Sequence, residues 1–214
     1  MHAKFWRRDS LRDLEWIAGR GDEADSENWN SAMERSKKLW QEQRKGVEGI
    51  AMKPDLVAVM DAALSKASWD VRKGQLENEA FTLCHGDFHP FNVMWMEAGR
   101  VVLYDWEMVS IGSPGQELGQ YMMNVDVGIR QSLEKKLVKS YYDELITSGV
   151  DESDFAYKDL WKEYVSGGAG KWIFLLPVLI AFCPKPMAQW FCDQMTSFFQ
   201  DHGLTEENAP QPRM

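Results

Sequence analysis

The chain has 214 residues, 44% of them apolar, and a formal net charge of -9. That length allows one large domain or two small ones with a sizeable core. The acidic balance excludes a general nucleic-acid binder, which needs clustered Lys and Arg on phosphates. Three cysteines, Cys84, Cys183 and Cys192, have neither zinc-site nor disulfide-framework spacing, so a reducing, cytoplasmic setting is expected.

The first twenty residues read as helical, without a secretory h-region in MHAKFWRRDSLRDLEWI. Gly19 to Glu27 is polar and acidic and reads as a loop. Trp29 to Lys45 places Trp29, Ala32, Met33, Leu39 and Trp40 among charges, as an amphipathic helix does, and Gly46 and Gly49 end it. Pro54 opens the next helix, to about Trp69.

The period then changes. Phe81-Thr82-Leu83-Cys84, Asn92 to Met96 and Val101 to Tyr104 are three short strand-like runs, and Glu97-Ala98-Gly99-Arg100 reads as a hairpin turn. Beyond a loop with Gly112, Pro114 and Gly115, helices are expected at Gln116 to Asn124 and Arg130 to Ser148. A third is expected to start at Asp151-Glu152-Ser153-Asp154 and to be interrupted by Gly167, Gly168 and Gly170. The longest apolar run, Trp172 to Cys183, contains Pro177 and is too short to span a bilayer, so a buried helix and no membrane span are expected. Met187 to His202 makes a last helix, and Thr205 to Met214 a polar, frayed tail. Ten Trp and twelve Met suit a core filled with large side chains, or a substrate groove lined by them.

The chemistry is concentrated between Leu83 and Glu107. Asp87 and Asn92 are five residues apart, and Asp105 follows thirteen residues later, just past an apolar run. Phosphoryl transfer asks for such groups: a carboxylate to accept a hydroxyl proton, and hard oxygen donors for Mg²⁺. Singly, Asp87 also suits a turn beside Gly86, Asn92 a turn, and Asp105 a cap or ion pair. A charge buried at the end of an apolar strand needs a partner, which a metal ion supplies. His85-x-Asp87-x-His89 also suggests a transition metal, but only His2 and His202 remain to complete a site. His85 is read as a brace for the loop, and His89 as lining the site. Glu107 either reaches the metal or stabilises the loop. Ser110 and Ser113 lack a His-Asp frame for hydrolysis.

His85-Gly86-Asp87-Phe88-His89-Pro90-Phe91-Asn92 with Asp105-Trp106-Glu107 resembles the aminoglycoside phosphotransferase and choline kinase-like superfamily. His2-Ala3-Lys4-Phe5-Trp6 and Tyr141-Tyr142-Asp143-Glu144-Leu145 look most like its CHK kinase-like branch, which includes ecdysteroid kinase-like proteins. The resemblance implies an α+β, mostly α fold: the C-terminal lobe of the protein-kinase-like architecture, with a few short strands around the catalytic loop. It would occupy residues 1–204, with a flexible tail at 205–214. Asp87 would be the catalytic base, and Asn92 and Asp105 the Mg²⁺ and nucleotide ligands. ATP, or GTP, would be the phosphoryl donor and a small-molecule hydroxyl the acceptor. Relatives often carry Asp where Glu117 stands. The family's strand-rich N-terminal lobe, with its phosphate-pairing Lys and partner Glu, has no counterpart here, and Lys4 is not on a predicted strand. Two readings follow: a kinase lobe, or a truncated, non-catalytic binding module. Association through the face that such a lobe would cover is a further expectation. Trp161, Tyr164, Trp172, Phe174, Trp190 and Phe191 would suit a lipid-like, steroid-like or choline-like acceptor, and packing would account for them equally.

Overall fold

A computed structural model describes residues 1–214, apart from the side chain of Ala98. The chain divides into two compact units: Met1–Arg20 with Leu76–Gly168, and Gly21–Gln75 with Ala169–Met214. The fold is α+β and mostly helical, with a few short antiparallel strands.

The first unit opens on two single 3₁₀ turns, His2–Phe5 and Asp9–Leu11, rather than the expected helix. Arg7 between them has φ 45°, outside the helical region, and its N–H donates to Phe81 O at 2.9 Å. The segment is therefore held by strand neighbours. Leu11, Ile17 and Ile111 form a small core, with Phe5, Leu14, Phe81 and Leu83 packed against it.

Two antiparallel strand pairs follow. β1 (Thr82–Cys84) pairs antiparallel with β4 (Ser110–Gly112). β2 (Val93–Trp95) pairs antiparallel with β3 (Val101–Leu103), in the register Val93↔Leu103. The predicted turn is a 3₁₀ turn at Glu97–Gly99. β4 had no sequence signal, because Ser110-Ile111-Gly112 looks like part of the Gly-Pro loop. α4 (Pro114–Met122) starts with Ser113 capping Gly115 N–H, and α5 (Val127–Thr147) with Asp126 capping Gly128 and Ile129.

α6 (Tyr157–Phe182) corrects two expectations. Asp151 to Asp154 is a turn outside it, and neither the glycines nor Pro177 interrupts it. Gly168 faces Gly119, where a Cβ would lie 2.7 Å from Gly119 Cα, so the glycine serves close helix packing rather than helix termination. α6 is long and apolar enough to cross a membrane by length and composition. However, 56% of its most apolar window is buried in the protein, as in a core helix.

In the second unit α1 spans Glu23–Gln43, starting where a loop was expected. Asp22 caps it by accepting from Asp25 N–H, a signal hidden in the acidic run. α2 spans Pro54–Ser65 and α3 Trp69–Asn78; α3 has no clear apolar stripe and gave no sequence signal. Pro177 has no N–H to donate within α6. Nearby carbonyls are engaged from outside: Ser36 Oγ donates to Phe174 O and Gln43 Nε2 to Pro177 O. α7 spans Lys185–Asp201. The tail is not loose throughout. Arg213 is buried and its N–H donates to Gly170 O at 2.9 Å.

Candidate phosphotransfer site

Strand β1 ends at Cys84, and the next residues make the candidate loop. Gly86 has φ +81°, and a Cβ there would lie 1.8 Å from Met108 O. Both the backbone twist and the close approach require glycine. Gly86 N–H donates to Glu117 Oε1 at 2.8 Å, which ties the loop to α4.

Asp87 follows directly. Its Oδ1 accepts from Gln120 Nε2 at 2.9 Å. Its Oδ2 lies 3.2 Å from His89 Nε2 and 3.5 Å from Asn92 Nδ2. His89 Nδ1 accepts from Phe91 N–H, so in the neutral ring the proton sits on Nε2 and points at Asp87. One carboxylate oxygen is thus fixed by an amide, while the other faces the imidazole. The Asp87 side chain is 39% exposed and open to a small molecule.

Asn92 is buried and its Nδ2 donates to Asp87 O at 2.9 Å. The five-residue spacing therefore closes a loop in which the amide nitrogen is used internally, leaving the Oδ1 lone pairs to accept or to coordinate a cation. Asn92 O accepts from Tyr104 N–H at 3.2 Å, so the β2–β3 pairing sets Asn92 opposite the residue before Asp105. Asp105 has φ 63° and ψ 61°, a left-handed conformation costing about 1–2 kcal/mol for most residues and best tolerated by Gly, Asn and Asp. Asp105 is exposed, so the argument from a buried charge does not apply to it.

His85 is the expected brace: buried, it donates from Nε2 to Tyr104 O at 2.8 Å and packs 4.6 Å from the Trp106 ring. Glu107 is exposed in the turn Trp106–Met108. Beside the loop, Phe91 is exposed, and the β2–β3 hairpin exposes apolar side chains on both faces, Trp95 with Val101 on one and Met94 with Val102 on the other.

Sequence reading missed Gln120 and the full role of Glu117. Gln120 lies three residues past Glu117 on α4, one helical turn on, so the same helix face reaches both Gly86 and Asp87. Of the aromatic residues suggested for an acceptor pocket, Tyr164, Trp172 and Phe191 are buried core residues.

The family model of the phosphotransferase enzyme family (APH) matches residues 5–146, a span that contains the whole loop, β2–β3, Asp105 and α4. The chain belongs to this family. No curated protein and no solved structure matches it. The match makes the chain a member of a phosphotransferase, kinase-like family of enzymes, and Gln120 and Glu117 lie inside the matched span.

Proposed function

We propose that this chain is the catalytic, substrate-binding lobe of a small-molecule kinase, transferring a phosphoryl group from ATP or GTP to a hydroxyl. We infer further that it corresponds to the C-terminal lobe of the CHK kinase-like branch, on the His2–Trp6 and Tyr141–Leu145 segments that resemble that branch. The observation that carries the reading is the arrangement of Asp87 inside the family match. Gln120 fixes its Oδ1, while Oδ2 stays at an exposed edge where an acceptor hydroxyl can approach.

In this reading Asp87 Oδ2 takes the hydroxyl proton, and His89 Nε2–H orients that oxygen. The donor set suits Mg²⁺: Asn92 Oδ1 and the Asp105 carboxylate are hard oxygen ligands, with Asn92 Nδ2 turned away into its bond with Asp87 O. Mg²⁺ held there would neutralise phosphate charge, which is most of what phosphoryl transfer needs from a protein. The exposed Trp95 and Val101 on one face of the hairpin suit a nucleotide base.

Calorimetry of the 214-residue chain with Mg²⁺ and ATP, followed by phosphate-transfer assays on alcohol panels, tests the proposal. Asp105→Ala should abolish Mg²⁺-dependent nucleotide binding. Asp87→Ala should lower turnover by about 10²–10⁴-fold while sparing nucleotide binding. Turnover that survives undiminished in both variants refutes it, and nucleotide binding without turnover in the wild-type chain supports a binding module instead.

A further inference from the structure

The loop that carries Asp87 is backed by a second constellation, which the sequence scatters over more than a hundred residues. A ring nitrogen of His2, Cys84 Sγ and a Glu117 carboxylate oxygen all lie within 4.8 Å of one another. Among the described residues this is the one trio of metal-ligating side chains so placed. Cys84 and Glu117 are buried and His2 is half-buried. We propose that these three residues bind a zinc-class divalent cation, in a structural site behind the candidate catalytic loop.

Three observations support the assignment. The ligand types, one imidazole, one thiol and one carboxylate, are those of tetrahedral zinc, whose bonds of about 2.0–2.3 Å set ligand atoms about 3.3–3.8 Å apart. His2 Nε2 and Glu117 Oε2 are already 3.0 Å apart, so the trio reaches that geometry by side-chain shifts of about an ångström.

The imidazole is oriented from behind as metal-bound histidines are, because His2 Nδ1 sits 2.6 Å from Tyr141 Oη. Finally, His2, Glu117 and Tyr141 border a cavity of about 340 Å³ that otherwise has mainly apolar walls. It leaves room for a water as fourth ligand on the His2 and Glu117 side.

The protons balance. In the ion-free protein His2 donates Nε2–H to Glu117 and accepts from Tyr141 at Nδ1. On binding, Nε2 coordinates the metal and the ring proton moves to Nδ1, where it donates to Tyr141 Oη. The Cys84 thiol proton leaves to solvent as the Zn–S bond forms, one proton per ion. Glu117 Oε1 keeps its bond from Gly86 N–H while Oε2 coordinates. The ion would thus tie the N-terminal turn, the end of β1 and α4 together directly behind Asp87.

Cobalt substitution tests this in the intact chain, because thiolate-bound Co²⁺ has an intense charge-transfer absorption in the near ultraviolet. One equivalent of Co²⁺, displaceable by Zn²⁺, should give that band in wild type and in Cys192→Ser. The band should vanish in Cys84→Ser, and His2→Ala should weaken binding by about 10–100-fold. His2→Ala guards against a folding defect in the Cys84 variant. Asp105→Ala should keep the band, which separates this site from the proposed Mg²⁺ site. No thiolate band in wild type, or a band unchanged in a folded His2→Ala or Cys84→Ser protein, overturns the proposal.

Discussion

Gly86→Ala is the sharpest test of how the loop is held. Two separate penalties fall on the new methyl group. The residue has φ +81°, a left-handed conformation that costs an alanine about 1–2 kcal/mol. The Cβ would also lie 1.8 Å from Met108 O and 2.7 Å from Met108 C. Neither is the yielding end of a side chain, so backbone must move, and overpacking of that kind costs about 1–3 kcal/mol. Together they predict a loss of about 2–5 kcal/mol, a large share of the roughly 5–15 kcal/mol that keeps a domain folded. Gly99→Ala is the control. Its φ is +73°, but nothing lies within 4 Å of the added Cβ, so it carries the dihedral penalty alone. Urea unfolding followed by tryptophan fluorescence should therefore rank Gly86→Ala well below Gly99→Ala. Equal losses in the two variants would show that the approach of Met108 to Gly86 does not constrain the loop.

Glu117→Gln keeps the shape but places an amide against His2 Nε2–H and Gly86 N–H, and a mismatch at these buried bonds should cost about 1–3 kcal/mol in thermal unfolding. A wild-type melting curve would count against the anchoring role. Gln120→Leu removes the amide that fixes Asp87 Oδ1, so the carboxylate should lose its orientation and kcat should fall; an unchanged kcat would place the two residues out of contact during turnover. Arg130→Leu leaves the buried Glu134 carboxylate without its 3.1 Å ion pair and should destabilise the protein by about 3–5 kcal/mol, measured by denaturant titration. Burial, reinforced by Asp193, raises the Cys192 thiol from 9.0 to about 12. A raised folded pKa stabilises below the unfolded value, so this contribution is intact below about pH 9 and is lost as pH rises towards 12. The buried Cys84 and Tyr164 and the half-buried Tyr141 have pKa values raised in the same direction, and a melting temperature that stays flat across that range would contradict all four assignments.

Local rules made much of this fold legible. Pro54 at a helix start, the β2–β3 turn at Gly99 and the apolar stripes of α1 and α2 are signals written within a few residues. The misreadings share a cause: tertiary contact decided them. Gly168 reads as a helix breaker until Gly119 is seen against it, and a Cβ there would meet the partner backbone. The first residues look helical by composition, yet bonds such as Arg7 N–H to Phe81 O draw them along the strands. β4 is only three residues long, and its pairing with β1 leaves no periodicity to read.

The site divides along the same line. Asp87, Asn92 and Asp105 are visible because loop closure and strand pairing fix their spacing in sequence. Gln120 and His2 carry no such spacing, since α4 and the N-terminal turn bring them in from elsewhere. Glu117 shows why residue type matters there. Its two carboxylate oxygens are both engaged, Oε1 by Gly86 N–H at 2.8 Å and Oε2 by His2 Nε2 at 3.0 Å. An aspartate on the same helix position would be one methylene shorter. It could hold the Gly86 amide only by drawing α4 closer, or release His2. The glutamate that looks like a departure in sequence is thus the residue whose reach joins the candidate catalytic loop to the N-terminal turn.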